Sequence, residues 1–239
     1  MPFLEVDYHV GRDGRVEVET RFSIPVDGDR IQRGPVLDYL TAFEGPGGLI
    51  LNNRMEVLSL ERNGEAEPFH TRDYQGILRI YCGDEETLLD HGLHEYRLRH
   101  RALGPWTYRD GLALAAFDVT EPFQGWVLRE ARVRLRLPEG VALEQYTPAV
   151  SGFGGTGLGY RAEEDARGVV VETVGPLGER NLFLLNAVWR SEGFVGKSRW
   201  LQVIQQHPRL PISAGVAAIL VVLLCTVLSG GLARSRRAR

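Results

Sequence analysis

Cysteine is nearly absent. The 239 residues hold two, Cys82 in an apolar run and Cys225 inside an uncharged stretch, too far apart in setting to pair. A disulfide-built scaffold is therefore excluded, and the fold has to stand on core burial alone. A surplus of positive charge is lacking too. Lys and Arg number 28 against 31 Asp and Glu, giving a formal charge of -3, so the chain has no overall basic field of the kind that nucleic-acid binding draws on. There is no Gly-x-Ser-x-Gly elbow, no Gly-Lys-Ser/Thr phosphate loop, and no His placed beside Cys82, so the sequence supplies no catalytic residue, cofactor or metal set of its own. Sustained 3.6-residue periodicity is missing from everything before the C-terminal uncharged run, which points away from a helical fold.

What is present instead is alternation. Leu4, Val6, Tyr8 and Val10 alternate with polar residues, Asp13-Gly14 turns the chain, and Val16, Val18, Thr20, Phe22 and Ile24 alternate again, predicting an N-terminal hairpin. From Pro25 to Gly48 the breakers Arg33-Gly34-Pro35 and Gly45-Pro46-Gly47-Gly48 predict an extended loop. A second hairpin is predicted over Arg54 to Glu61 and Ala66 to His70 around Asn63-Gly64. Further strands are predicted at Ile77 to Cys82, His94 to Ala102, Ala131 to Leu137, Leu143 to Val150, Val169 to Val174 and Leu182 to Trp189. The expected class is mainly β, one or two β-sandwich (Ig-like) domains. A division near Trp126 gives units 1–126 and 127–206, followed by a linker 207–211.

Ile212 to Leu232 carries no charge, and at about 1.5 Å per residue it spans roughly the 30 Å of a hydrocarbon core, so a single transmembrane helix is predicted. Arg234, Arg236, Arg237 and Arg239 lie in the basic tail 233–239, and the positive-inside rule then favours a cytoplasmic C-terminus with the large domain outside. Met1 to Val10 has neither the basic start nor the apolar core of a signal peptide. Two placements stay open: an extracytoplasmic domain exported by a signal not seen in these residues, or a tail-anchored cytoplasmic domain.

Several motifs have a chemical and a plainer reading. Gly152 to Gly157 meets the spacing of a dinucleotide loop, but no helical face follows it, which favours a glycine-rich loop. His91, His94 and Glu95 lie close in sequence. On an alternating strand, however, His94, Tyr96, Leu98 and His100 share the apolar face, which favours hydrogen-bonded structural histidines over metal ligands. The opposite face of that strand carries Arg97, Arg99 and Arg101. A second strand carries Arg132, Arg134 and Arg136, each row spacing its guanidinium groups roughly 7 Å apart. Such rows are the candidate surface for anionic headgroups or acidic polymers, with a solvated, carboxylate-flanked face as the plainer reading. The acidic clusters Asp84-Glu85-Glu86 and Glu163-Glu164-Asp165 are expected in solvated turns.

Taken in order, Ile31 to Thr41, Val57 to Pro68, Leu78 to Asp84, Gly92 to Arg101, Asp110 to Leu112, Gly125-Trp126 and Ala131 to Gly140 resemble the bacterial and archaeal membrane proteins known as the domain of unknown function 2207 family. The resemblance implies an exported β-domain ahead of the membrane segment and supplies no catalytic residues. Two elements depart from the family pattern: Asp38-Tyr39-Leu40-Thr41 stands in place of Asp-Phe-Pro-Thr, and Ala115 to Thr120 in place of an aromatic-Asn-x-x-Gly element. The functional expectation is a membrane-tethered, non-enzymatic β-module that binds a partner protein or an envelope component. The alternatives are an envelope-polymer hydrolase or transferase using His94, His100 or loop carboxylates, and a cytoplasmic scaffold or sensor.

Overall fold

The computed structural model describes residues 2–29, 31–44, 50–52, 55–103, 106–123, 125–151, 158–165, 167–179, 182–192 and 194. The linker 207–211, the uncharged run 212–232, the tail 233–239 and the glycine motif 152–157 lie outside them. Among the described residues no helix is long and apolar enough to cross a membrane.

The chain is mainly β. The alternating N-terminal pattern forms β1 (Phe3–Val10) and β2 (Arg15–Val26), an antiparallel pair that turns through Gly14 at φ 81°. The stretch from Pro25 to Gly48 is not one loop: it holds β3 (Val36–Leu40) and β4 (Ala42–Glu44), the latter paired with β5 (Ile50–Asn52) just beyond it. A side chain at Gly34 (φ 123°) would run into the Cys82 carbonyl, so glycine lets β3 start flush against the strand it pairs with. β6 (Met55–Arg62) turns through Asn63 (φ 53°) and Gly64 (φ 85°), the positive dihedrals of a type I′ turn, into β7 (Glu65–Ala66). The predicted return strand then splits. Pro68 has no N–H to give the ladder, and beyond it β8 (Phe69–Asp73) leaves β6 to pair with β9 (Ile77–Cys82).

β10 (Gly92–Leu103) is the long partner of β2, and β11 (Trp106–Arg109) and β12 (Leu112–Asp118) follow around Asp110 and Gly111, both at positive φ. A short 3-10 turn, Glu121–Phe123, leads to β13 (Glu130–Arg136), β14 (Leu143–Ser151), β15 (Tyr160–Asp165), β16 (Gly168–Thr173) and β17 (Leu182–Arg190).

These strands form an eight-stranded sheet ordered β15-β16-β13-β1-β2-β10-β6-β7, a four-stranded sheet β11-β12-β17-β14, a three-stranded sheet β3-β9-β8 and the pair β4-β5. β1 runs parallel to β13, from Phe3 beside Glu130 to His9 beside Arg136, so strands on either side of Trp126 share one sheet. Its inner face and that of the four-stranded sheet meet in one core. Tyr8 packs on Phe117 at 4.5 Å between centroids, and Phe22 stacks on Tyr96 at 5.3 Å and meets Phe123 edge-on at 4.9 Å. Trp106 and Trp189 cross at 5.4 Å in the four-stranded sheet, with the Trp106 indole N–H donating to the Tyr108 hydroxyl at 2.9 Å.

Phe22 is fully buried between rings from the large sheet and from the 3-10 turn. Phe22→Ala is expected to destabilise the protein by about 3–5 kcal/mol. In urea unfolding this appears as a lower midpoint with an unchanged slope.

Candidate functional site

The two arginine rows lie on the same outer face of the same sheet, with β1 and β2 between them. Register turns that face into ladders of charge. Across the strands run Glu172, Arg132, Glu5, Arg21, Arg97 and Glu61, then Arg134, Asp7, Glu19 and Arg99, then Arg136, His9, Glu17 and Arg101. Arg132 pairs with Glu172 at 3.0 Å, Arg134 with Asp7 at 3.1 Å, Arg101 with Glu17 at 2.6 Å and Arg97 with Glu19 at 2.7 Å. Glu19 also meets Arg21 at 2.7 Å and Arg99 at 3.9 Å. Burial works to raise the Glu19 carboxyl, but hydrogen bonds from Arg97 and Arg21 outweigh it and hold the group below its ordinary value. The rows thus face carboxylates of their own sheet.

His94 and His100 are both buried on the inner face of β10, as alternation predicts, and roughly 20 Å of extended strand separates them. The ring of His94 is held on both sides: Nε2 lies 2.8 Å from the Asp90 carbonyl, and Nδ1 lies 3.2 Å from the Asn63 side-chain amide. His100 differs. Among the described residues its Nδ1 has no hydrogen-bond partner, its ring meets Tyr39 edge-on at 5.1 Å, and burial pushes its pKa down to about 3, so it stays neutral. Among the described residues no three His, Cys, Asp or Glu side chains gather as metal ligands. Burial first and Glu67 second push the Cys82 thiol up to about 12, leaving it protonated and inert. The Glu163-Glu164-Asp165 cluster lies on the exposed strand β15 and not in a turn, while Asp84 caps its own turn by accepting from the Glu86 N–H at 2.7 Å.

His100 lines a cavity of about 370 Å³ that sequence reasoning did not find, at the lower end of the ~300–1,000 Å³ usual for small-ligand sites. Its origin is a taper in side-chain size. Toward one end of the β2–β10 pair the inner face is filled by Phe22, Ile24 and Tyr96; from the Thr20–Leu98 rung onward β2 and β10 carry Thr20, Val18, Val16 and Ala102. The opposite wall is built from β3, through Tyr39 and Leu40, and from the end of β12 and the 3-10 turn, through Phe117, Asp118, Glu121 and Phe123. A bulge contributes as well. β6 pairs Ser59 with Arg99 but Val57 with His100, so the skipped Leu58 reverses the alternation and Met55 joins the cavity wall.

Polar groups concentrate at the Asp118–Glu121 corner. Asp118 accepts from the Thr120 N–H at 3.0 Å and from the Thr120 hydroxyl at 3.2 Å, and Glu121 accepts from the Leu40 N–H at 2.8 Å, tying β3 to the 3-10 turn. Burial raises the Asp118 carboxyl against those hydrogen bonds. Burial raises Glu121 to about 7, the Leu40 N–H opposes the shift, and the charge of Asp118 adds to it. Tyr8, whose hydroxyl lies 3.5 Å from the Asp118 carbonyl oxygen, is pushed well above its usual range by burial and then by Tyr39, Asp118 and Glu121. Tyr39 is raised by burial too; its hydroxyl lies near Thr20 without closing a hydrogen bond of good geometry.

No family model matches the chain, and neither does any curated protein. Among solved structures it is similar to native leukotriene A4 hydrolase from Saccharomyces cerevisiae, with 9% identity, a TM-score of 0.46, and 78% of this chain covering 28% of that one. It is also similar to an M1 zinc metallopeptidase from Deinococcus radiodurans, with 13% identity, a TM-score of 0.44, and 78% of this chain covering 41% of that one. The chain thus spans less than half the length of either enzyme.

Two of the shifted cavity groups, Glu121 and His100, give opposite pH dependences. A Glu121 raised from 4.5 to about 7 lets the folded state hold a proton the unfolded state has lost, so its contribution to stability falls as pH rises from about 4.5 to 7. A His100 lowered from 6.5 to about 3 lets the unfolded state take up a proton the folded state refuses, so its contribution falls as pH drops below about 6.5. In thermal unfolding across pH, Glu121→Gln is expected to raise Tm at pH 8 relative to pH 5, and His100→Leu to remove the loss on the acid side.

Proposed function

We propose that the chain is a membrane-tethered β-sandwich module whose role is binding, with the cavity between β2, β10, β3 and β12 as its receptor site. The observation that carries the reading is the cavity itself: an apolar concavity with a few polar groups gathered at one corner, which is the usual make-up of a ligand site. The tether is Ile212 to Leu232, whose uncharged length suits a hydrocarbon core and is followed by four arginines on the side the positive-inside rule places in the cytoplasm. On this reading the strands face the cell envelope, and the partner is an envelope component small enough, or with a group small enough, to enter the cavity. The likeness to the domain of unknown function 2207 family supports the same placement. A cytoplasmic, tail-anchored placement is the alternative, and protease protection of intact against lysed cells separates the two.

The binding role is tested with the full chain in detergent micelles and a panel of small cationic, neutral and anionic amphiphiles, read by thermal shift. At least one class is expected to raise Tm saturably. Val18→Phe, which fills the cavity, is expected to abolish the shift. A panel that leaves Tm unmoved sinks the receptor reading. In parallel, deleting residues 207–239 is expected to move the protein from the membrane pellet to the supernatant, and retention in the pellet refutes the tether.

A further inference from the structure

The charge inventory of the cavity is one-sided. Two carboxylates, Asp118 and Glu121, stand at one corner, and among the described residues neither Lys nor Arg lines it. Each carboxylate is partly used: the Asp118 Oδ1 by Thr120, and the Glu121 Oε1 by the Leu40 N–H. Those donors are neutral, so among the described residues the negative charge has no counter-ion in a partly desolvated place. Ring walls stand close by, with Tyr8 packed on Phe117 at 4.5 Å and Tyr39 set edge-on to His100 at 5.1 Å. The imidazole cannot supply the missing positive charge, because it is buried and its Nδ1 has no hydrogen-bond partner among the described residues.

Ligand classes sort themselves against this inventory. An anion meets two like charges across an apolar wall. A neutral amphiphile covers the wall but removes more water from the carboxylates without repaying it. A cation with an apolar body satisfies both demands, and aromatic faces attract it further. We propose that the cavity binds a small ammonium ion carrying an apolar body, with Glu121 and Asp118 as its counter-charge and Tyr8, Tyr39 and Phe117 as its ring walls. The inference rests on the receptor reading above and narrows it to one chemical class.

The test is calorimetric titration of the full chain in zwitterionic micelles at pH 8 with phenethylammonium, 2-phenylethanol and 3-phenylpropanoate, each corrected for partition into empty micelles. Phenethylammonium is expected to bind at one site per chain at least tenfold more tightly than the alcohol, and the carboxylate is expected to give no saturable heat. Glu121→Gln is expected to weaken the amine at least tenfold, while Glu163→Gln on the exposed strand β15 leaves it unchanged. Lowering the pH from 8 to 6 should weaken the amine about tenfold in the unaltered chain as Glu121 takes up its proton, which keeps the comparison available if the variant does not fold. Equal affinity for the alcohol and the amine overturns the ammonium proposal and leaves the receptor reading standing. Silence from all three probes, with Val18→Phe indistinguishable from the unaltered chain, overturns both.

Discussion

Because side chains alternate strictly along a strand, the pairing of β2 with β1 on one side and β10 on the other decides at once which residues face water and which face the core. Leu4 lies beside Phe22 and Phe22 beside Tyr96 on the inner face; Asp7 lies beside Glu19 and Glu19 beside Arg99 on the outer. A slip of one residue would bury Glu17, Glu19, Arg97 and Arg99 and expose Phe22 and Leu98. Burying even one unpaired charge costs several kcal/mol, so hydrophobic burial and charge pairing enforce the same register from opposite faces.

That double constraint explains why the arginine rows, suggestive on their own, do not form an open basic surface. In the sequence Arg97, Arg99 and Arg101 and their counterparts Arg132, Arg134 and Arg136 are separated from the acidic residues that meet them by dozens of positions, and only the sheet order interposes β1 and β2. Exposed pairs of this kind contribute little one at a time, about 0–1 kcal/mol each. Their larger effect is on field: the carboxylates of β1 and β2 cut short the positive potential either row would project by itself.

Strands with one wet and one dry face were legible from the sequence, and β1, β2, β10 and β13 fall where alternation puts them. Strands whose faces differ less were not. β3 sits among Gly34, Pro35 and Gly45, whose breaker signal outweighs five residues of weak alternation; β12 alternates through Ala113 and Ala115, too small to register as a core stripe; β15 is exposed on both faces and reads as a charged turn. The Asp110-Gly111 dipeptide between β11 and β12 did carry a hairpin signal of the Asn63-Gly64 kind. The cavity had no motif to mark it, since it arises where small residues of β2 and β10 come to face β3 and the Asp118–Glu121 turn. Its one trace in the sequence is a want of bulk at Val16, Val18, Thr20 and Ala102.

The parallel pairing of β1 with β13 has a consequence for how the chain reaches this state. Asp7 and Arg134 are 127 residues apart, so β1 must wait for more than a hundred further residues before its second neighbour exists. Loop closure over such a span is costly before it is rewarded, and chains built on long-range pairings assemble slowly. In the interval β1 carries an open hydrogen-bonding edge with Leu4, Val6 and Tyr8 along it, a template for mispairing with another nascent copy. Glu5 and Asp7 make that edge strand acidic, and mutual repulsion between two such strands guards the slow step until Ala131 to Leu135 arrive to close it.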